Sequence, residues 1–181
     1  TESVQRLLAK CGSLPQNKFQ AYALVALVTG FCSLLAWSLC LVAGAILAKE
    51  VAIQAQRKNL KLHYPLLVAA AYSGMVVWHM GYSGSATLSV ATTDHPLQDI
   101  MGVLPVTETM LDPTNIVLAL ITIISIAIVI PLLHPADSEL IEVDIEKIEN
   151  LDTETIDTKQ FESTFAHNLD NMRLLNISIA L

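Results

Sequence analysis

The sequence predicts an all-α integral membrane protein, and three observations carry that reading. Hydrophobic residues make up 53% of the 181-residue chain and the mean hydropathy is +0.53, high for a water-soluble domain. Charges are absent from Phe19 to Ala48, from Tyr64 to Thr93 and from Pro113 to Pro135, leaving uncharged runs of 30, 30 and 23 residues. The bases lie outside these runs and are spread unevenly over the connecting segments, as sidedness in a bilayer requires. A helix rises about 1.5 Å per residue, so about 20 apolar residues cross a hydrocarbon layer about 30 Å thick. In order, the expected elements are a re-entrant helical hairpin over 19–48, a broken transmembrane helix over 64–93 and a plain transmembrane helix over 113–135. Together they make a partial membrane domain over 1–135, followed by an acidic cytoplasmic segment.

The hairpin follows from charge and length together. Arg6, Lys10 and Lys18 precede the first run, and Lys49, Arg57, Lys58 and Lys61 follow it, so both flanks read as cytoplasmic. One straight helix of this length would reach about 45 Å, whereas two arms of about 15 residues reach about 22 Å each. A turn near Trp37 and Ser38 reconciles the flanks, provided that protein or a water-filled cavity covers the exposed backbone. A long tilted span is the alternative.

The second run leaves this basic side and arrives at 94–112, which carries Asp94, Asp99, Glu108 and Asp112 with no base and so reads as external. Just beyond its middle it contains Gly81-Tyr82-Ser83-Gly84-Ser85, preceded by Trp78 and His79. Such a cluster suggests a helix broken near the membrane midplane, where freed amides and hydroxyls meet substrate or ions. Close helix packing is the other use of small residues. The third run crosses back, with Thr114, Asn115, Thr122 and Ser125 as its polar side chains before His134.

Acidity belongs to the tail: residues 136–181 hold eleven acids and three bases, against six acids and seven bases in 1–135. Residues 136–164 read as a cytoplasmic linker. Over 165–181, Phe165, Leu169, Met172 and Leu175 form a stripe suited to an interfacial helix, followed by the start of a truncated next span. With no signal peptide ahead of the first run and an abrupt apolar end, the chain reads as an excerpt. The charge distribution argues against nucleic acid as a partner, since no basic stripe exists to neutralise phosphates. The odd number of cysteines, Cys11, Cys32 and Cys40, argues against a disulfide framework, and no clustered Cys/His spacing points to a metal.

The candidate binding residues are those beside the two presumed breaks: Trp37 and Ser38 in the first run, and Trp78, Gly81, Tyr82, Ser83, Gly84 and Ser85 in the second. No Lys or Arg lies in any run, so an anion there is held by helix N-termini, loop amides and hydroxyls. The two Trp rings sit mid-run rather than at the interfaces, fit to wall an apolar site or simply to pack. His79 is the titratable imidazole at membrane depth and the candidate proton carrier, with a hydrogen-bonded neutral histidine as the alternative. Gly81-Tyr82-Ser83-Gly84 also fits the short Gly-x-Ser-Gly pattern of rhomboid intramembrane proteases, but their chemistry needs a histidine deep in a later span, and His134 sits at the end of its run.

Several stretches carry a family resemblance in their order and spacing. They are Val42-Ala43-Gly44-Ala45 leading into Ala48-Lys49-Glu50, then Tyr64-Pro65-Leu66-Leu67 with Ala71-Tyr72 and the Trp78 to Ser85 segment. Ala91-Thr92, Pro96, Gly102-Val103-Leu104-Pro105-Val106 and Thr109 follow, and Leu169 to Leu175 closes the series. The chain thus resembles the short-chain fatty acid transporter family, which moves small carboxylates such as acetoacetate and butyrate, and would cover less than half of a full carrier. Where the family shows Asn-Trp-Gly-x-Gly, this sequence has Ala36-Trp37-Ser38-Leu39-Cys40, and Met80 stands where glycine is common. The resemblance implies a multi-pass protein of the bacterial inner membrane that binds a short-chain fatty acid anion and is surrounded by lipid. It also implies symport with H+ or Na+, no other cofactor, and elevator-like movement of re-entrant hairpins. A homo-oligomer is left open. A non-transporting membrane scaffold or degenerate paralogue is the alternative of a different class.

Overall fold

The computed structural model describes residues 10–144, and through Val143 these belong to one compact unit. Most of the linker at 136–164 and all of the interfacial helix at 165–181 lie outside the described residues. Among the described residues there is no strand. The helices are α1 (Lys18–Leu35), α2 (Trp37–Arg57), α3 (Tyr64–Ser73), α4 (Ser85–Val90), α5 (Gln98–Met101), α6 (Val106–Met110) and α7 (Pro113–Leu132). A 3₁₀ segment, Gly74–Met80, continues α3, and a 3₁₀ turn, Asp137–Glu139, follows α7. Lys18–Leu35, Trp37–Arg57 and Pro113–Leu132 are each long and apolar enough to cross a membrane.

The first run is two helices with one extended residue between them. α1 begins where Asn17 caps it, its side chain accepting the Gln20 N–H at 2.9 Å. It ends at Ala36, whose backbone is extended at φ −157° and ψ 134°. The arms hold 18 and 21 residues, so at about 1.5 Å per residue they measure about 27 and 31 Å, longer than two arms of about 15 residues. The difference arises because α2 runs on through Lys49 and Glu50 to Arg57: charges do not end a helix, and the segment from Lys49 is loop only after Arg57. At the open end, the Lys58 ammonium donates to the Ser13 and Pro15 carbonyls, so both feet of the hairpin stand together.

α1 is the centre of the bundle, packed against α2, α3, the 3₁₀ segment and α7. Its buried residues include Ala21, Val25, Ala26, Thr29, Gly30 and Ser33, and those of α2 include Cys40, Ala43, Gly44, Leu47 and Ala48. Between helices in lipid, small side chains allow the close backbone approach that dispersion rewards. Gly74 is one such case: a Cβ there would lie 2.5 Å from the Thr29 carbonyl carbon. Thr29 is itself satisfied, its hydroxyl donating to the Val25 carbonyl at 2.8 Å.

α7 starts at Asp112, whose carboxylate accepts the Thr114 and Asn115 N–H groups, with Pro113 in the first turn. The backbone N–H of Thr114 is the largest influence holding that carboxyl below its ordinary value. α7 buries Ala119, Ile123 and Ala127 and leaves Val117, Ile121, Ile124 and Ile128 exposed, an apolar outer face suited to lipid. It runs antiparallel to α1, because Tyr22 meets His134 at one end and a Cβ on Gly30 would touch Ile123 midway.

One end of the bundle is closed by a polar knot. Tyr22 Oη accepts the His63 N–H at 2.8 Å, which leaves its proton for His134 Nδ1 at 2.9 Å. His63 Nδ1 accepts the Ile141 N–H, and the Ile141 carbonyl accepts from Tyr64. At the other end, the connection between α4 and α7 is organised by His95. Its Nδ1 accepts the Leu97 N–H at 3.2 Å, so its Nε2 donates to the Gly102 carbonyl at 2.9 Å.

Candidate functional site

The tip of the α1–α2 hairpin docks on the interruption of the second run. Ending α1 at Ala36 frees the Leu34 carbonyl from an intrahelical partner, and the Tyr82 N–H donates to it at 2.8 Å. The Trp37 N–H, among the orphan donors at the start of α2, donates to Ser83 Oγ at 3.1 Å. Gly81 is required for this approach, since a Cβ there would lie 2.5 and 2.6 Å from the Leu34 Cα and carbonyl carbon, both backbone atoms. The two breaks read from the sequence thus meet each other directly.

Of the candidate residues, Gly81 and Gly84 are buried, Trp78 and Ser83 are half-buried, and Trp37, Ser38, His79, Tyr82 and Ser85 are exposed. Ser83 uses one acceptor position on Trp37 and keeps its proton to donate. Ser85 opens α4 instead of the turn, and its hydroxyl lies 3.3 Å from His79 Nδ1. The Trp78 and His79 rings lie 3.9 Å apart, tilted by 49°. No side chain caps α2 at Ala36, so the partial positive charge of a 21-residue helix is directed at this junction.

The junction lies level with the first turn of α7 and not with its middle. Asn115, the third residue of α7, donates its amide to the Met80 carbonyl at 2.8 Å and to the Met110 carbonyl at 3.0 Å. The reason is the 3₁₀ segment, which rises faster than an α-helix. Ten α residues and seven 3₁₀ residues together climb about 29 Å, nearly the full hydrocarbon thickness. A break expected near the midplane therefore arrives at the far end of the bundle, opposite the Tyr22 knot.

Sequence reasoning missed what Asn115 does. It is the single side-chain amide in the third run, and that isolation was its signal. It joins Met80 to Met110 beside a cavity of about 200 Å³ next to the junction, lined by Leu34, Leu35, Met80, Gly81, Ile116 and Ala119 among others. Among the described residues no group of three His, Cys, Asp or Glu side chains is placed to hold a metal. His134, the histidine a protease mechanism would draw on, is bonded to Tyr22 at the other end of the bundle, away from Ser83.

Two long apolar helices joined as a hairpin, docked on an interrupted helix and flanked by a third long apolar helix, define a helical membrane protein. The chain belongs to the short chain fatty acid transporter family, whose sequence model matches residues 1–181. It is 31% identical over 141 residues to a protein of Escherichia coli (strain K12), covering 78% of this chain and 31% of that relative. It is 27% identical over 184 aligned positions to one of Haemophilus influenzae, covering 97% of this chain and 40% of the relative. Both carry the description "Putative short-chain fatty acid transporter". The chain therefore spans about a third to two fifths of the curated relatives it matches. No solved structure matches it at a significant level.

Proposed function

We propose that this chain is part of a secondary carrier that moves short-chain fatty acid anions across the bacterial inner membrane by cation symport. The carboxylate is held where the hairpin tip meets the second-run break. The observation that carries the reading is the docking of Trp37 and Leu34 on Ser83 and Tyr82, which brings an uncapped helix N-terminus and serine hydroxyls to one place. Such groups bind anions without a base, as a site in a segment free of Lys and Arg requires. Trp37, Ser38 and Trp78 surround the head group, and Ser83 and Ser85 offer hydroxyl protons. The coupling ion is H+ or Na+, with His79 as the proton carrier in the first case. In this topology the hairpin feet and the Tyr22 knot face the cytoplasm, and the junction faces the far side.

The test is uptake of labelled butyrate and acetoacetate by the full-length protein in proteoliposomes, with and without imposed H+ and Na+ gradients. Gradient-driven uptake that is lost, or weakened in KM, in the Ser83→Ala/Ser85→Ala double variant supports the site. Absence of uptake under every gradient would favour a membrane scaffold.

A further inference from the structure

We infer that the cavity next to the junction is the subsite for the alkyl tail of the carboxylate, and that Ile116 and Leu120 set the tail length accepted. This rests on the proposed transport of short-chain fatty acids and names the part of the site that selects among them. The cavity lies where the ends of α1, the 3₁₀ segment, α6 and the first turns of α7 converge, and Leu35 on its wall is two residues from Trp37 at the start of α2. The cavity is therefore within reach of the other end of a ligand whose head group sits at that N-terminus.

The lining suits a hydrocarbon. Asn115 is its amide-bearing side chain, and both donors of that amide are already engaged by Met80 and Met110, so it offers an incoming polar group no proton. A second carboxylate buried there would go unpaired, which strongly disfavours dicarboxylates. The volume of about 200 Å³ is below the roughly 300–1,000 Å³ of sites for drug-sized ligands. A tail of a few carbons fits within it.

Ile116 and Leu120 lie one helical turn apart on α7 at the cavity wall and are each partly exposed, so they can be changed in size without opening the core. The experiment measures uptake of labelled acetate, butyrate and hexanoate by the full-length protein in proteoliposomes. Each variant is read as the ratio of kcat/KM between substrates, so that differences in the amount of folded protein cancel. Ile116→Phe should lower the butyrate-to-acetate ratio about tenfold, and Leu120→Ala should raise the hexanoate-to-butyrate ratio by a similar factor, the discrimination expected for one or two methylenes. Ratios unchanged in both variants, with uptake intact, would overturn the tail subsite while leaving the transport reading in place. Failure of the unaltered protein to take up any of the three acids would instead overturn the transport reading, and the subsite with it.

Discussion

Tyr22 and His134, 112 residues apart, share a hydrogen bond of 2.9 Å that ties the start of α1 to the end of α7. The same phenol oxygen accepts the His63 N–H, so one side chain joins three parts of the chain. Tyr22→Phe removes that oxygen and leaves two partners unpaired. The expected loss is about 1–3 kcal/mol of stability, the usual result of orphaning buried polar groups. Thermal unfolding of the purified protein in detergent measures it, and an unchanged melting temperature would mean that water replaces the phenol.

His134 supplies a pH dependence. Burial, and then the positive charge of Lys18, hold its imidazole below its ordinary value; Asp137 opposes this and His63 adds to it, while Tyr22 bonds the ring. A depressed histidine pKa means that the unfolded chain takes up the proton more readily than the folded one. The stability tied to neutral His134 is therefore fully present above about pH 6.5 and falls as the pH drops through the folded value. His134→Gln should flatten the fall in melting temperature between about pH 7.5 and 5, and an unaltered slope would assign it to other groups.

Gly81→Ala should undock the hairpin tip, because the added methyl meets Leu34 backbone rather than a side chain that can turn away. A cost of about 1–3 kcal/mol is expected from overpacking, together with loss of transport. Gly102 is the control: a Cβ there meets nothing within 4 Å, and its φ of 70° with ψ of −168°, a region kept essentially to glycine, costs Ala a backbone strain of about 1–3 kcal/mol with no clash. Transport by Gly102→Ala but not by Gly81→Ala is the predicted pattern.

The topology is open to labelling. Cysteines at Lys18 and Arg57, the two feet of the hairpin, should both react only with reagents that reach the cytoplasm, and one at Asp99 only from outside. Reaction of Lys18→Cys from outside would replace the hairpin with a single tilted crossing.

For His79, coupling and binding can be separated. If it carries the proton, His79→Gln abolishes accumulation driven by a pH gradient while exchange of labelled for unlabelled substrate continues, because exchange needs no net proton movement. Wild-type accumulation in the Gln variant would leave His79 with only its neighbour Ser85 to satisfy.

What the sequence made legible is what composition and charge encode. The helical class, the apolar runs and the interruption at Gly81–Gly84 all came from local signals: absence of charge, runs of Ile and Leu, glycines beside serines. The Trp37 segment and the Gly81 segment were both singled out, but nothing local says that they touch, since Trp37 and Ser83 are 46 residues apart. The Tyr22–His134 bond and the Asn115 bridge were hidden for the same reason. Depth was misjudged by counting residues, because a 3₁₀ segment advances about 2.0 Å per residue and periodicity does not distinguish it from α-helix.

Ala36 shows where inheritance can afford to be careless. Its extended backbone suits any L-residue, and alanine is the strongest helix former, so the turn is not written into the residue that makes it. It is imposed from outside, by a surface 46 residues away that accepts the tip. The residue at 36 can therefore be replaced by another L-residue and the hairpin still turn in the same place. The fidelity demanded of the chain falls instead on Gly81, whose missing side chain is the space that the tip occupies.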